Sequence, residues 1–593
     1  MTPLSNQENR VPGIVDTIVF RAKAMALQVR RAAQGTISNQ VERFPVRKCL
    51  TSKKIIAESR TMLWTDHENS EKILVAGKIH NLRLAIRQLN GVEVPANSVF
   101  SFWKHVGRTS RLKGYVAGRE LREGCLIPNT GGGLCQLSNA LYDAALNAGF
   151  EIVERHPHSQ VIPGSLAETG RDATVFWNYV DLRFRSSHPF RIEAQLTVDS
   201  LVVRFTGGAN RKRQFLLPIT RQIEKPLKIE NCLSCGTHDC FRQVKSDSSA
   251  NDFGRAAFLL DDYWPEFDRY ISVTKHRGDL LCLPLDGKKF GKQNYGWTTS
   301  GFGTLKQNRF LTLWRSYKSR KLALQGATRQ RFLLAANEKL AHRYASLLPY
   351  DVTHVTVMQH LLPFLWREGH LGGRTFDVLM TGLPLAVLQQ RLDSAFRLHP
   401  ESMTLSDFRS DQELLDAESS ALQQARKIIT PHTQIAALYP EKNVLIEWAM
   451  PNATAQSKTI GRRETNIVFP GATVGRKGVY ELRAVLEQMN LQLMTMGPLL
   501  ESNDFWDGMK VRPLRADEDW LSNATAVVLP SFVEHRPRRL LEAVARGVPV
   551  IASTACGMEN VNGVTSIAAG DVETLSAEIE RVVAASSSHA LAS

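Results

Sequence analysis

The chain has 593 residues, of which 43% are apolar and 22% charged, and its formal net charge is +16. That length excludes a single hydrophobic core and predicts three or four folding units, while the apolar fraction excludes disorder throughout. The charge favours acidic partners, namely nucleotide phosphates, anionic glycans or an anionic membrane surface; nucleic acid is not expected, because neither a helix-turn-helix pattern nor an aromatic-studded basic RNA-binding signature is present.

The first residues, MTPLSNQENRVPGIVDTIVF, lack a basic start followed by an apolar run and a small-residue cleavage site. No uninterrupted apolar stretch approaches the ~18 residues needed to span a bilayer, so the expected compartment is the cytoplasm. Residues 14–31 place Val15, Ile18, Ala22, Met25 and Val29 on one helical face beside Arg21, Lys23, Arg30 and Arg31. That pattern suits packing on the chain's own domain or peripheral contact with a membrane. Residues 1–60 read as a basic leader. In NLRLAIRQLNG, Leu82, Ile86 and Leu89 recur at helical spacing and stop at Asn90-Gly91. From Glu151 the runs EIVERH, DATVFWNYVDLRFR, FRIEAQLTV and SLVVRFTG alternate and predict antiparallel strands. Residues 61–208 are therefore expected to form an α+β domain, with FSFW and NYVDLRF as core strands.

Within it, PNTGGGLCQLSNALYDAALNAG sets three glycines and Cys135 at the threshold of a helix. Glycines let a backbone approach a ligand closely, and free amides at a helix start favour thiolate, so a lowered thiol pKa is expected. ERHPHS supplies His156 or His158 as a base, and Asp172 or Asp181 is a candidate to orient the imidazole. A small buried cysteine under a glycine turn is the alternative. The long run FSFWKHVGRTSRLKGYVAGRELREGCLIPNTGGGLCQLSNALYDAALNAGFEIVERHPHS, followed by DATVFWNYVDLRFR, resembles the VanW family over roughly 78–208. Some VanW-type domains resemble cysteine-dependent L,D-transpeptidases of peptidoglycan stem peptides. The resemblance implies that Cys135 is an acyl-accepting nucleophile, His156 or His158 its base and Asp172 an orienting acid.

Residues 209–250 form a basic bridge carrying Cys232, Cys235, His238 and Cys240 in the order C-x2-C-x2-H-x-C. Three thiolates and an imidazole at this spacing can close a structural zinc site; an iron–sulfur centre, a redox role or unliganded cysteines are the alternatives. Eight cysteines over this length do not make a disulfide framework.

Beyond the bridge, AAFLLD, HVTVM, FDVLM and KIITP mark strands in 251–452. In 453–593, NIVFPG, GVYELRAVLEQM, LQLMTMG, DEDWLSNA, TAVVLPS, PRRLLEAVARG, PVIAS and VETLSAEIERVVAA alternate strand and helix. That rhythm predicts two Rossmann-like α/β domains with parallel sheets. VVLPSFVEHRPRRLLEAVARGVPVIAS resembles the E-x7-E element of retaining GT-B glycosyltransferases of the family 4 type, and VGRKGVYEL their basic segment. The resemblance implies that Glu542 holds the ribose of a nucleotide-sugar donor, Glu534 contacts its sugar, and Arg476 and Lys477 neutralise the leaving diphosphate without a divalent metal. Two departures stand out. Arg476 and Lys477 adjoin instead of lying several residues apart, and Asp261, Asp262 and Glu266 occupy the loop where the family carries glycines. His360 or His370 in QHLLPFLWREGHLGG is a candidate beside an acceptor hydroxyl, or a structural histidine.

The expected whole is multidomain: an α+β VanW-like domain followed by two α/β Rossmann-like domains of GT-B type. The expected activity is retaining transfer from a nucleotide sugar to a glycan or peptidoglycan-precursor acceptor in cell-envelope modification. The alternative is a cysteine acyltransferase or peptidase with a GT-B half that binds carbohydrate without turnover.

Overall fold

A computed structural model of the chain describes residues 41–64, 69–122, 125–158, 166–177, 179–208, 254–322, 326–406, 409–452, 465–489, 491–515, 518–522 and 524–591, with Ala22 and Ala26. The segment 14–31, those two alanines excepted, and the Cys232, Cys235, His238 and Cys240 cluster lie outside the described residues. The chain divides into two compact units. The first comprises Met1–Arg255, Leu348–His354 and Glu368–Thr375; the second comprises Ala256–Leu347, Val355–Arg367 and Phe376–Ser593.

The first unit is α+β. Its main sheet is antiparallel, with β1 (Ile55–Met62) beside β9 (Ser200–Gly207), then β8 (Phe190–Leu196) and the short β2 (Glu93–Val94). A second sheet orders β3 (Val99–Ser101), β7 (Arg183–Arg185) and β6 (Glu151–Glu154), and β4 (Ala117–Arg122) pairs with β5 (Cys125–Thr130) as a hairpin. Helix α1 (Asn69–Leu89) buries Leu82, Ile86 and Leu89 and ends at Gly91, whose φ of 87° favours glycine. Helix α2 (Phe102–Val106) is a single turn, capped by Ser101, whose side chain accepts from the Lys104 amide. Helix α3 (Cys135–Asn147) buries Leu137, Leu141 and Ala145. Phe100, Phe184, Phe190 and Phe205 are fully buried, and Phe150 stacks on Phe205 at 5.1 Å. FSFW supplies core, but only Phe100 and Ser101 lie in a strand, Phe102 and Trp103 opening α2; DATVFWNYVDLRFR is mostly irregular and, among its described residues, contributes β7 and a bridge between Phe176 and Val180.

The second unit has the two expected parallel sheets. The seven-stranded one runs in the order β12 (Thr304–Gln307), β11 (Leu280–Leu283), β10 (Arg255–Leu259), β13 (Val352–Met358), β14 (Thr375–Leu379), β15 (Lys427–Thr430), β16 (Asn443–Leu445). The six-stranded one runs β19 (Val511–Pro513), β18 (Gln492–Thr495), β17 (Asn466–Phe469), β20 (Ala526–Leu529), β21 (Val550–Ser553), β22 (Val564–Ile567). Among the helices between strands, α4 (Pro265–Thr274) follows β10, and α5 (Arg309–Lys321) and α6 (Gly326–Leu347) separate β12 from β13. Near the C-terminus, α7 (Val479–Gln488) follows β17, α8 (Arg538–Ala545) follows β20, and α9 (Val572–Leu591) closes the unit. DEDWLSNA forms no helix among its described residues; Asp519 there caps a turn through Ser522 and Leu521.

Candidate functional site

In the first unit, Cys135 opens α3 directly after the glycine loop. Gly131 and Gly133 have φ of 82° and 97°, which favours glycine at both. The close approach there is to the chain itself. A side chain on Gly133 would overlap the Lys78 stem, and one on Gly132 would overlap the Gly118 carbonyl. Asn81 then ties the loop to β4, its Nδ2 donating to the carbonyls of Gly132 and Val116, both at 3.0 Å. Lys78 is itself buried, donates to the Leu63 carbonyl at 2.8 Å, and has its pKa lowered to about 8 by burial.

The Cys135 thiol runs opposite to the sequence expectation: burial pushes its pKa up to about 11, and the Glu120 and Asp172 carboxylates add to the push. The sulfur contacts the Val175 carbonyl at 3.9 Å, and desolvation of the thiolate outweighs the helix dipole. Asp172 is buried and gathers three donors: the His158 amide at 2.7 Å, the His158 Nδ1 at 2.7 Å and Arg155 Nη2 at 2.7 Å. Burial alone would raise its carboxyl; the His158 amide and imidazole, with Arg155, outweigh that and hold it below the usual carboxylate range. The structure thus joins His158 to Asp172 and sets Asp172 within electrostatic reach of Cys135. Among the described residues no hydrogen bond links Cys135 to either imidazole. His156 instead meets Glu154 at 3.3 Å on the surface. Asp181 does not orient an imidazole: its carboxylate is taken by Ser101, the Trp103 and Leu182 amides and Arg183.

In the second unit, the loop after β17 leads through a single turn, Gly475–Lys477, into α7, and the loop after β20 passes beside it. Two contacts hold them together: the Arg476 carbonyl accepts from the Phe532 and Val533 amides at 2.9 and 3.3 Å, and Lys477 Nζ lies 3.2 Å from Glu534 Oε2. Burial would raise the Glu534 carboxyl; Lys477, the Arg536 amide and Arg476 lower it on balance. Gly471 leaves room for this lysine, since a Cβ there would sit 2.8 Å from Nζ. Glu542 lies one turn along α8, partly exposed, with Arg546 Nη2 at 3.5 Å. The predicted residues Arg476, Lys477 and Glu534 therefore meet at the C-terminal edge of the six-stranded sheet, and Glu542 stands on the helix leaving that edge.

Several neighbours escaped sequence reasoning. His535 packs against Gly382, accepts from the Leu383 amide at 3.2 Å, and is driven down to about 3 by desolvation and the nearby His432. His432 Nε2 lies 3.2 Å from the Glu534 and Ala555 carbonyls, fixing the loop that carries Glu534. Arg538, the first residue of α8, forks onto the buried Glu266 of α4 at 2.5 and 2.6 Å and lies over the rings of Trp264 and Trp448 at 5.3 and 5.9 Å. Glu266 also accepts from the Ala449 amide at 2.9 Å. Where the sequence replaces glycines with acids after β10, Asp261 is buried and bound by both Arg315 terminal nitrogens and by His360 Nε2 at 2.9 Å. Burial opposes its ionisation, but His360 and Arg315 win and hold it at about 2. His370 belongs with the first unit, between Glu368 and Arg87, and does not accompany His360. Among the described residues no group of three or more His, Cys, Asp or Glu side chains is placed to hold a metal ion.

Residues 77–206 match the family model described as VanW like protein, and residues 466–585 match that described as Glycosyl transferases group 1. The chain joins a VanW-like domain to a group 1 glycosyl transferase domain. It is 36% identical over 126 residues to the uncharacterized protein YoaR of Bacillus subtilis (strain 168), a match covering 21% of this chain and 41% of that one. It is 29% identical over 170 residues to the Vancomycin B-type resistance protein VanW of Enterococcus faecalis, covering 28% of this chain and 61% of that one. The chain thus spans less than two thirds of the length of either relative. Solved structures matched over 56% of this chain include the apo lipopolysaccharide outer core galactosyltransferase WaaB, at 13% identity, 91% coverage of its chain and a TM-score of 0.32. Sucrose-phosphate synthase from Thermosynechococcus elongatus matches at 14% identity, 90% coverage and a TM-score of 0.38.

Proposed function

We propose that the second unit transfers a sugar, with retention, from a nucleotide-sugar donor to a glycan or peptidoglycan-precursor acceptor, in cytoplasmic steps of cell-envelope assembly. The observation that carries this reading is the convergence of Arg476, Lys477 and Glu534 at the C-terminal edge of the six-stranded sheet, with Glu542 on the departing helix. Cations fixed at a sheet edge suit a diphosphate, whose developing charge they stabilise as the bond to the sugar breaks. Glu542 offers an exposed carboxylate to a ribose diol, and Glu534 remains near the leaving group.

The test is calorimetry of the full chain against nucleoside diphosphates and nucleotide sugars, repeated with Lys477→Ala and Glu542→Ala. Each substitution is expected to weaken binding by about tenfold or more, the worth of one charge-assisted hydrogen bond. No binding at millimolar ligand, or binding indifferent to both substitutions, would sink the proposal.

A second reading, acyl transfer through Cys135, is favoured by the His158–Asp172 pair and opposed by the raised thiol.

A further inference from the structure

Between Asp286 and Glu338 the sequence holds eleven lysines and arginines and not one acidic residue. Helix α5 lies in this stretch, and only Thr312 and Arg315 of its thirteen residues are buried. Thr312 donates to the Pro284 carbonyl at 3.0 Å, and Arg315 is the cation that grips Asp261. The opposite face carries Phe310, Leu313, Trp314 and Tyr317, at the i, i+3, i+4, i+7 spacing of a single stripe. Phe310 is 90% exposed, and Leu313 and Tyr317 are 63% exposed.

Large apolar side chains are rarely left in water to this extent, and four on one helical stripe, three of them aromatic, are not the scattered apolar exposure of an ordinary surface. Their surroundings are cationic. Arg309 lies over the exposed ring of Phe290 at 4.9 Å, and Lys339 Nζ lies 4.5 Å from the Trp314 ring. Lys318, Lys321 and Leu322 line a groove with Trp314 and Phe332, whose rings are 5.2 Å apart. Arg320, Arg329 and Arg331 are also exposed.

We infer that α5 and the start of α6 form a docking surface for an anionic lipid bilayer, the aromatic stripe entering the headgroup boundary and the basic side chains meeting lipid phosphates. Charge complementarity selects this occupant. A second copy of the same face would set cation against cation, whereas an anionic bilayer offers both the negative charge and the apolar layer the stripe needs. The inference stands apart from the transferase reading, since it uses none of the residues assigned to the donor.

The test is co-sedimentation of the full chain with vesicles of phosphatidylcholine containing about one third phosphatidylglycerol, a composition that supplies the surface potential, against pure phosphatidylcholine. Binding to the anionic vesicles is expected, with at least about tenfold weaker capture by neutral ones and a fall with rising salt. Phe310→Ser with Tyr317→Ser, both exposed and hence neutral for folding, should reduce partitioning by about tenfold or more. Lys318→Gln and Lys321→Gln should each reduce it by roughly fivefold. Unchanged thermal unfolding of these variants shows that a loss is not misfolding. Equal capture by neutral vesicles, no capture by anionic ones, or capture unaffected by the substitutions would overturn the inference. So would retention of RNA, or self-association, that Phe310→Ser and Tyr317→Ser abolish while vesicle binding is absent.

Discussion

The reactivity of Cys135 separates a desolvated, partly buried thiol from a nucleophile, and its size follows from the site. With the thiol raised to about 11 by burial and by the Glu120 and Asp172 carboxylates, the thiolate fraction at pH 7 is on the order of one in ten thousand. An ordinary exposed cysteine of pKa near 8.5 holds about three per cent. That ratio is roughly three hundredfold. A more basic thiolate is intrinsically more nucleophilic, which returns about a factor of ten. Alkylation of Cys135 by iodoacetamide at pH 7 is thus expected to be about thirtyfold slower than that of an exposed thiol, before any loss of access. Cys49, which is exposed, is the reference inside the same molecule, and peptide mass spectrometry after timed quenching reads both rates. The Cys135 rate should also keep rising about tenfold per pH unit past pH 9, where an ordinary thiol levels off. Cys135 labelling as fast as Cys49 at pH 7 would refute the reasoning and restore a stabilised thiolate.

Arg538→Ala leaves the Glu266 carboxylate buried without its cation; the expected cost is about 3 kcal/mol, at the lower end for such a charge because Arg538 itself reaches solvent. Urea unfolding measures it, and pairing Arg538→Met with Glu266→Leu should recover most of the loss; equal loss in single and double variants would show that the cost does not come from the unpaired carboxylate. Glu418 has its carboxyl raised to about 7, chiefly by burial, while the Leu385 amide and Gln359 oppose the rise. A carboxyl raised in the folded state contributes stability that is full below its unfolded pKa near 4.5 and is lost as pH climbs through 7. Glu418→Gln, which cannot ionise, should therefore gain on the wild type by ~3 kcal/mol between pH 4.5 and pH 8; a pH-independent difference in urea midpoint would contradict it.

Strands β17, β18, β20 and β21 were readable as NIVF, QLMT, AVVL and VIAS because strands covered on both faces are continuous apolar runs. The edge strands β12, β16, β19 and β22 were not: LKQ in β12 and VRP in β19 carry polar residues because one side of an edge strand meets solvent. The hairpin of β4 and β5 hid in AGRELR for the same reason. Site residues divide by chemistry and distance. A histidine and an aspartate announce themselves by type, so His158 and Asp172 could be named, although the choice between His156 and His158 needed the fold. Glu266 and Arg538 are 272 residues apart, and nothing local in either sequence says that one is buried and the other answers it. The glycines before Cys135 were readable as a close approach, but the identity of the approaching groups, Lys78 and the Gly118 carbonyl, is a tertiary fact.

The pairing of Lys477 with Glu534 sets a constraint on the proposed transfer. Lys477 and Glu534 are both largely buried, so neither charge is easily carried alone. A diphosphate arriving at this edge brings negative charge toward a lysine already engaged by a carboxylate, and it must share that lysine or displace the carboxylate. Arg476 is exposed and its guanidinium donates, among the described residues, to the Val533 carbonyl at 3.3 Å, which makes it the cation more available to meet the anion. Sharing keeps Glu534 beside the phosphate, where its charge opposes binding; displacement releases it toward the sugar, where a developing cation at the reacting carbon would stabilise it. His432 meets the Glu534 carbonyl, and the adjacent His535 accepts from the Leu383 amide, so the loop is held at two points and side-chain rotation is the smaller movement that would displace the carboxylate. In the transfer proposed above, an exchange of partners would follow, the diphosphate taking the lysine and the glutamate turning to the sugar.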